Sequence, residues 1–512
     1  MDLDAIGIHT NFSLLDWCIV IGYVLIVVGI GIYVQRYISN ATDFIIARRG
    51  LKVFLAVATM IGTELGLVTV MYSAQKGFTG GFAAFHIALA AGVATLLVGL
   101  TGFIVVPLRR MRVMTIPEFY EKRFGRGVRI LGGAILAFSG ILNMGMFLKA
   151  GSLFVMGITG MTSEFELKMI MTALLGIVLL YTTLGGMVSV VILDYIQFVV
   201  ISLGLLSTVL LCIHQLGWHD IVDVVSRLQG ESGFNPFHEE GFGVYYVMWM
   251  FFTAGVSCAV WQTAVIRACA AESTSVVKKL YVWSSIGFLI RFLLPNFLGI
   301  SAFVYIAQTE SLKTIFLPGG TLADPQVTLM AMPVFLSQIL PAGFIGIISA
   351  AMLAAFMSTH DSYLLCWSSV LTQDVVAPWF KKGLSSKTRL FLTRSFILCI
   401  GFFILFWGLW YPLGQDLWDY MLISGAIYFI GAIALLVFGL YWKRASTTGA
   451  YLALLCGFTA VFGLRPVQTF VGFEKEISSD IVGLVVASLT MACMVVGSLL
   501  FPGRASACEH KE

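Results

Sequence analysis

The sequence predicts an all-α polytopic membrane protein with about thirteen transmembrane helices. Three observations carry that reading. The 512-residue chain is 59% hydrophobic and only 11% charged, where soluble domains carry about 25% charged residues. Apolar runs of the ~20 residues that a hydrocarbon core requires recur along the whole length. Between the runs, Lys and Arg alternate from sparse to dense, as the two sides of a membrane demand.

The runs fall at about 15–35, 53–77, 82–108, 128–158, 166–184, 187–213, 245–266, 279–308, 342–372, 388–411, 415–440, 446–464 and 481–501. With the N-terminus outside, the cytoplasmic segments collect twenty-three of the Lys and Arg. They are Arg36, Arg48, Arg49 and Lys52, seven over 109–129, Arg267 with Lys278 and Lys279, five over 381–394, Lys443 with Arg444, and Arg504 with Lys511. The external segments hold five: Lys168, Arg227, Lys313, Arg465 and Lys475. This split predicts a multi-pass cell-membrane protein, N-terminus outside and C-terminus cytoplasmic.

Composition also excludes. The net charge of +4 comes from short cytoplasmic loops, with no long basic arm, so nucleic acid is not an expected partner. The seven histidines are scattered, and no phosphate-binding glycine loop, dinucleotide fingerprint or Cys/His metal spacing occurs. An enzyme or ATP-driven pump has nowhere to place its site. Most of the nine cysteines lie in apolar runs and read as small hydrophobes. The start "MDLDAIGIHTNFSLLDW" does not resemble a cleaved signal peptide.

Ionisable residues inside spans are costly and point to function. Here they are Glu64, His86, Lys149, Asp194, Arg291 and Asp361. A snorkelling side chain accounts for Lys149, and a neighbouring carbonyl would satisfy His86 equally well. The stretch "SAAMLAAFMSTHDSYLLCWSSVLTQD" is different. Ala355, Ser358, Thr359 and Ser362 follow i, i+3, i+4, i+7, one helical face, and Asp361 lies three residues from Ser358. Close helix packing explains the alanines and some hydroxyls, but not the carboxylate. Hydroxyl, carbonyl and carboxylate oxygens together suit a hard cation, and carbonyls freed by a broken helix complete a sodium shell. The break is expected in "AVATMIGTELGLVTVMYSAQKG", where Gly62 and Gly66 flank Glu64.

Six strings, "DFIIARRGL", "TIPEFYEKRFG", "LYTTLGGMVSVVILDYIQ", "QTAVIRACAAES", "LPAGFIGIISAAMLAAFMSTHDSYLL" and "YWKRASTTGA", stand in order along nearly the whole chain. The chain resembles the sodium/solute symporter family of sodium–glucose, proline and pantothenate transporters. The resemblance implies a leucine-transporter-type 5+5 inverted repeat. The expected organisation is 1–52 (external N-terminus, first helix, first cytoplasmic loop), 53–213 (first repeat), 214–244 (external loop), 245–464 (second repeat) and 465–512 (external loop, last helix, cytoplasmic C-terminus). It implies a main sodium site at Ala58, Ile61, Ala355, Ser358 and Thr359. It also points to a second cation site at Asp194, Ser358, Asp361 and Ser362, although relatives using that site often carry a hydroxyl where Asp361 stands. Asp361 is thus open as ligand, cap or proton carrier.

By the same resemblance, Glu64, His86, Gln262 and Arg291 are the expected solute contacts. Sugar-transporting relatives tend to carry Lys near Pro295 and a polar residue at Trp261, and this chain has Arg291 and Trp. Arg291 would suit a carboxylate-bearing solute. The expected function is sodium-coupled import of a small polar solute (amino acid, organic acid or sugar) by alternating access, by a single working copy in lipid. A non-transporting sensor or a proton-coupled variant is the alternative.

Overall fold

The computed structural model describes residues 10–34, 50–161, 163–380, 383–411, 415–473 and 477–502. Arg36, Arg48, Arg49, Lys381, Lys382, Lys475, Arg504, Lys511 and most of "DFIIARRGL" lie outside the described residues.

The apolar runs form α1 (Leu14–Val34), α2 (Val53–Glu64), α3 (Leu67–Gly80), α4 (Phe85–Thr101), α5 (Arg126–Met144), α6 (Phe147–Thr159), α7 (Glu164–Leu216), α8 (Gly243–Val260), α9 (Gln262–Ala270), α10 (Thr274–Gln308), α11 (Phe344–Val370), α12 (Ser386–Trp410), α13 (Leu417–Tyr441), α14 (Thr447–Phe458) and α15 (Ser479–Leu500). Among the described residues nine helices are long and apolar enough to cross a membrane, ten if the bent pair Thr447–Gly463 and Arg465–Val471 is one span. The expected thirteen runs do not each become a separate long helix. The run 53–77 is split into α2 and α3.

The runs 166–184 and 187–213 share the 53-residue α7. Leu174 and Phe356 both flank Gly151, whereas Asp194 bonds Ser358. Leu174 and Asp194 of α7 thus lie near Phe356 and Ser358 of α11 through Gly151 and a direct bond respectively.

α11 is the centre of the bundle, with 89% of its apolar window buried. Its alanine and methionine run favours helix and leaves room for neighbours on every side. A carboxylate from another helix starts it: Asp16 of α1 accepts the Gly343 and Gly346 N–H groups at 2.7 and 2.6 Å. That satisfies two N-terminal donors and places negative charge at the positive end of the helix dipole. α3 and α10 touch backbone to backbone. A Cβ on Gly77 would overlap the Asn296 carbonyl, and one on Gly299 the Ala74 carbonyl, the small-residue packing that lipid-embedded helices use.

One element of the charge map changes. Arg267, assigned above to a cytoplasmic segment, is 1% exposed in α9. Without it the split is still twenty-two to five.

Candidate functional site

Two helices of the bundle are broken in mid-run. α2 ends at Glu64 and α3 begins at Leu67, with Leu65 and Gly66 non-helical between them. α8 and α9 are separated by Trp261 in an extended conformation. The first break was expected from Gly62, Glu64 and Gly66; the second was not, since Trp261 carries no glycine signal.

A helix end leaves its last four carbonyls without intrahelical partners, and at α2 each is accounted for. Ile61 O accepts the Leu65 N–H at 2.8 Å. Gly62 O and Thr63 O accept the hydroxyls of Ser358 and Thr359 at 3.1 and 3.0 Å. Glu64 O accepts Arg291 Nη1 and Thr69 Oγ1, each at 3.1 Å. The hydroxyl face of α11 thus stands in for the missing turn. Gly66 makes this possible, because a Cβ there would overlap the Thr359 hydroxyl. Ala58 and Ala355 are buried one turn back from these contacts. Carbonyl and hydroxyl oxygens converge at the negative end of a helix dipole, a donor set that a small hard cation takes.

Beside the break lies a cavity of about 100 Å³, whose wall includes Glu64, Tyr72, Trp261, Arg291, Tyr363 and Trp418. Arg291 Nη1 pairs with Glu64 Oε2 at 3.2 Å, and Glu64 Oε1 accepts the Thr263 hydroxyl at 2.7 Å. The guanidinium sits over the Phe288 and Phe292 rings at 4.0 and 4.5 Å, while its Nε has no hydrogen-bond partner. Trp261 Nε1 donates to Tyr363 at 2.9 Å, and the Tyr72 and Trp418 rings pack at 4.4 Å.

Two expected solute contacts are elsewhere. Gln262 is wholly buried, and its Oε1 accepts the Ile116 N–H at 3.1 Å. His86 is held by Nδ1 to the Ala83 carbonyl at 2.7 Å and packs against Phe242. Each is tied to backbone through one atom, while Gln262 Nε2 and His86 Nε2 are buried without a hydrogen-bond partner. Lys149 likewise donates to the Tyr411 carbonyl at 3.0 Å.

On the far side of α2, Asp194 accepts Thr59 Oγ1 at 2.6 Å, Thr63 Oγ1 at 3.0 Å and the Ser358 hydroxyl. A guanidinium, that of Arg267, lies against it at 3.2 Å. Asp361, wholly buried one turn along α11, lies within electrostatic reach of Tyr23 in α1. Thr59, Thr63, Thr263 and Arg267 were not among the expected site residues. For the first pair, i, i+4 spacing on the face of α2 was the available signal.

Two further charged clusters join helices of the bundle. Lys76 of α3 bonds Asp416 at 2.6 Å and Asp419 of α13 at 3.2 Å. Arg129 of α5 bonds Asp374, just past α11, at 2.9 Å and also pairs with Glu121. Asp374 in turn accepts the Thr115 hydroxyl at 2.9 Å, which locates the "TIPEFYEKRFG" string.

The chain is similar to known proteins over most of its length. It is 23% identical to a sodium/glucose cotransporter of Vibrio parahaemolyticus, over 88% of this chain and 84% of that one. It is 24% identical to sodium/proline symporter 2 of Staphylococcus saprophyticus, over 88% and 85%. Its fold matches a sodium-coupled sialic acid symporter in a substrate-bound outward-open state, with a TM-score of 0.80 at 19% identity over 96% and 98% of the two chains. A nucleobase-cation-symport-1 family transporter in a closed conformation matches at 0.54 and 13% identity, over 91% and 97%. The fold is therefore that of leucine-transporter-type symporters. Residues 44–457 match the sodium:solute symporter family model, and the chain belongs to that family, a multi-pass sodium-coupled symporter of small solutes and not an enzyme.

Proposed function

We propose that this symporter imports a small zwitterionic solute of the amino-acid type, held at Glu64 and Arg291. The observation that carries this reading is their ion pair on the cavity wall, each side chain about a tenth exposed (12% and 11%). A solute carboxylate beside the Arg291 guanidinium and an ammonium beside Glu64 would extend the pair without leaving a charge unmatched. A sugar would desolvate both charges and return little, and an anion alone would face Glu64. The aromatic faces of Tyr72 and Trp418 favour a cationic group, and about 100 Å³ suits a small amino acid.

Sodium is taken at Ala58, Ile61, Ala355, Ser358 and Thr359. The Ser358 and Thr359 hydroxyls meet Gly62 O and Thr63 O, the carbonyls next along α2 from Ile61, which supports this assignment. An ion there joins two helices that must separate for the site to open inward, so it stabilises one conformation over the other, and that difference is the coupling. The stretches 53–213 and 245–464 are read as the two repeats, supported by a broken first helix in each. The charge split supports an external N-terminus and a cytoplasmic C-terminus. One copy holds every residue the reading uses.

The test is uptake into liposomes by the purified protein, with competing amino acids, monocarboxylates, sugars and amines, with and without a sodium gradient. Zwitterions alone are expected to compete at low concentration. Sodium-driven sugar uptake that no zwitterion inhibits would end the assignment.

A further inference from the structure

The place where the resemblance puts a second cation is the strongest feature not used above. Arg267 reaches it from α9. Its Nε donates to Thr59 Oγ1 at 3.2 Å and its Nη1 to the Thr263 carbonyl at 2.9 Å. Its Nη2 meets Asp194 Oδ2 at 3.2 Å, Ser362 Oγ at 2.9 Å and the Thr63 hydroxyl. Each threonine hydroxyl can accept from the guanidinium and donate to Asp194, and the two Nη2 hydrogens are shared among three acceptors. Side chains from α2, α7 and α11 and a carbonyl of α9 therefore close on one positive charge. Asp194 and Arg267 are 0% and 2% exposed as side chains.

A sodium ion does not fit this arrangement. Of the four residues that the resemblance gives such an ion, Asp194, Ser358, Asp361 and Ser362, two already accept from a guanidinium, Asp194 and Ser362, and Ser358 donates to Asp194. A second cation would share one carboxylate with Arg267 in a poorly screened interior, where like charges repel strongly.

We propose that Arg267 is a tethered cation that takes the place of a second coupling ion, so that one sodium is carried per solute. The proposal rests on the reading that Ser358 and Thr359 serve the single sodium site. Arg267 is a positioning residue for that site. It holds Asp194, Asp194 holds the Ser358 hydroxyl, and Ser358 reaches Gly62 O.

The experiment measures sodium bound per chain on the purified protein and charge moved per solute in liposomes. Wild type is expected to bind one sodium without cooperativity. Arg267→Ala removes the tethered charge and opens a hole beside Asp194, and sodium bound per chain should double, with a steeper sodium-dependent rise in melting temperature. Arg267→Ala/Asp194→Asn should lose that gain. Two sodium ions bound per wild-type chain, or Asp194→Asn alone removing one of two, would overturn the proposal. If Arg267→Ala does not fold, the wild-type stoichiometry still decides. Thr359→Ala separates the two readings: unchanged sodium dependence there would defeat the sodium-site assignment, whatever the wild-type count.

Discussion

Two arginine–carboxylate pairs flank the same break, at the same 3.2 Å, in opposite surroundings. Arg291–Glu64 borders the cavity, with both side chains a tenth exposed; Arg267–Asp194 is sealed, at 2% and 0%. Arg291 leans on two aromatic rings and leaves Nε unbonded, whereas Arg267 has an acceptor for Nε, Nη1 and Nη2 alike. A pair with spare valence beside a cavity can exchange partners with a solute. A saturated pair in a dry interior holds helices together. Environment and the count of remaining donors separate a binding pair from a structural one, not the distance between charges.

Removing one partner of the sealed pair should give the largest effect. Asp194→Ala is expected to lower stability by about 3–5 kcal/mol, because it strands a buried charge. Thermal unfolding in detergent, beside Glu64→Ala, checks this: equal losses at both sites would erase the distinction. Next, Arg291→Gln should weaken solute binding by about 1.5–3 kcal/mol, the range for a hydrogen bond to a charged group, while melting and sodium affinity change little. Calorimetric titration of solute and of sodium would show which moves. Gly66→Ala, which pushes a Cβ into the Thr359 hydroxyl, and Thr359→Ala should each raise the sodium concentration for half-maximal transport by about tenfold, equivalent to ~1.4 kcal/mol. Unchanged sodium dependence in both would remove Thr359 from the ion site. Smallest of all, His86→Gln should alter solute affinity by less than about twofold, under ~0.5 kcal/mol, since its bond runs to a backbone carbonyl. A larger change would return His86 to the cavity.

Much of this was legible beforehand. Apolar runs marked the bundle, Gly62–Glu64–Gly66 marked the first break, and the i, i+3, i+4, i+7 face of Ala355, Ser358, Thr359 and Ser362 marked the helix that meets it. What stayed hidden depends on partners distant in sequence. Arg267 stands near the loop lysines Lys278 and Lys279 and was counted with them, although "ACAA" after it is too small and apolar for a solvated loop. The break at Trp261 has no glycine to announce it. Gln262 and His86 look like ligands because a polar residue in a span must satisfy something. Whether that is a solute or the Ile116 amide is decided by packing between helices.

The origin of a positive charge also sets how hard a carrier can pump. Each sodium that crosses brings the membrane voltage to bear, worth ~2.3 kcal/mol per charge per 100 mV, and its own concentration gradient besides. A guanidinium anchored in α9 makes no net journey and brings neither. With one mobile ion, the highest ratio of internal to external zwitterion follows the sodium driving force to the first power; with two it would follow the square. Such a carrier works in low gear, importing less ion with each solute and stalling at a lower ratio, and that ceiling is written in a side chain that never leaves the membrane.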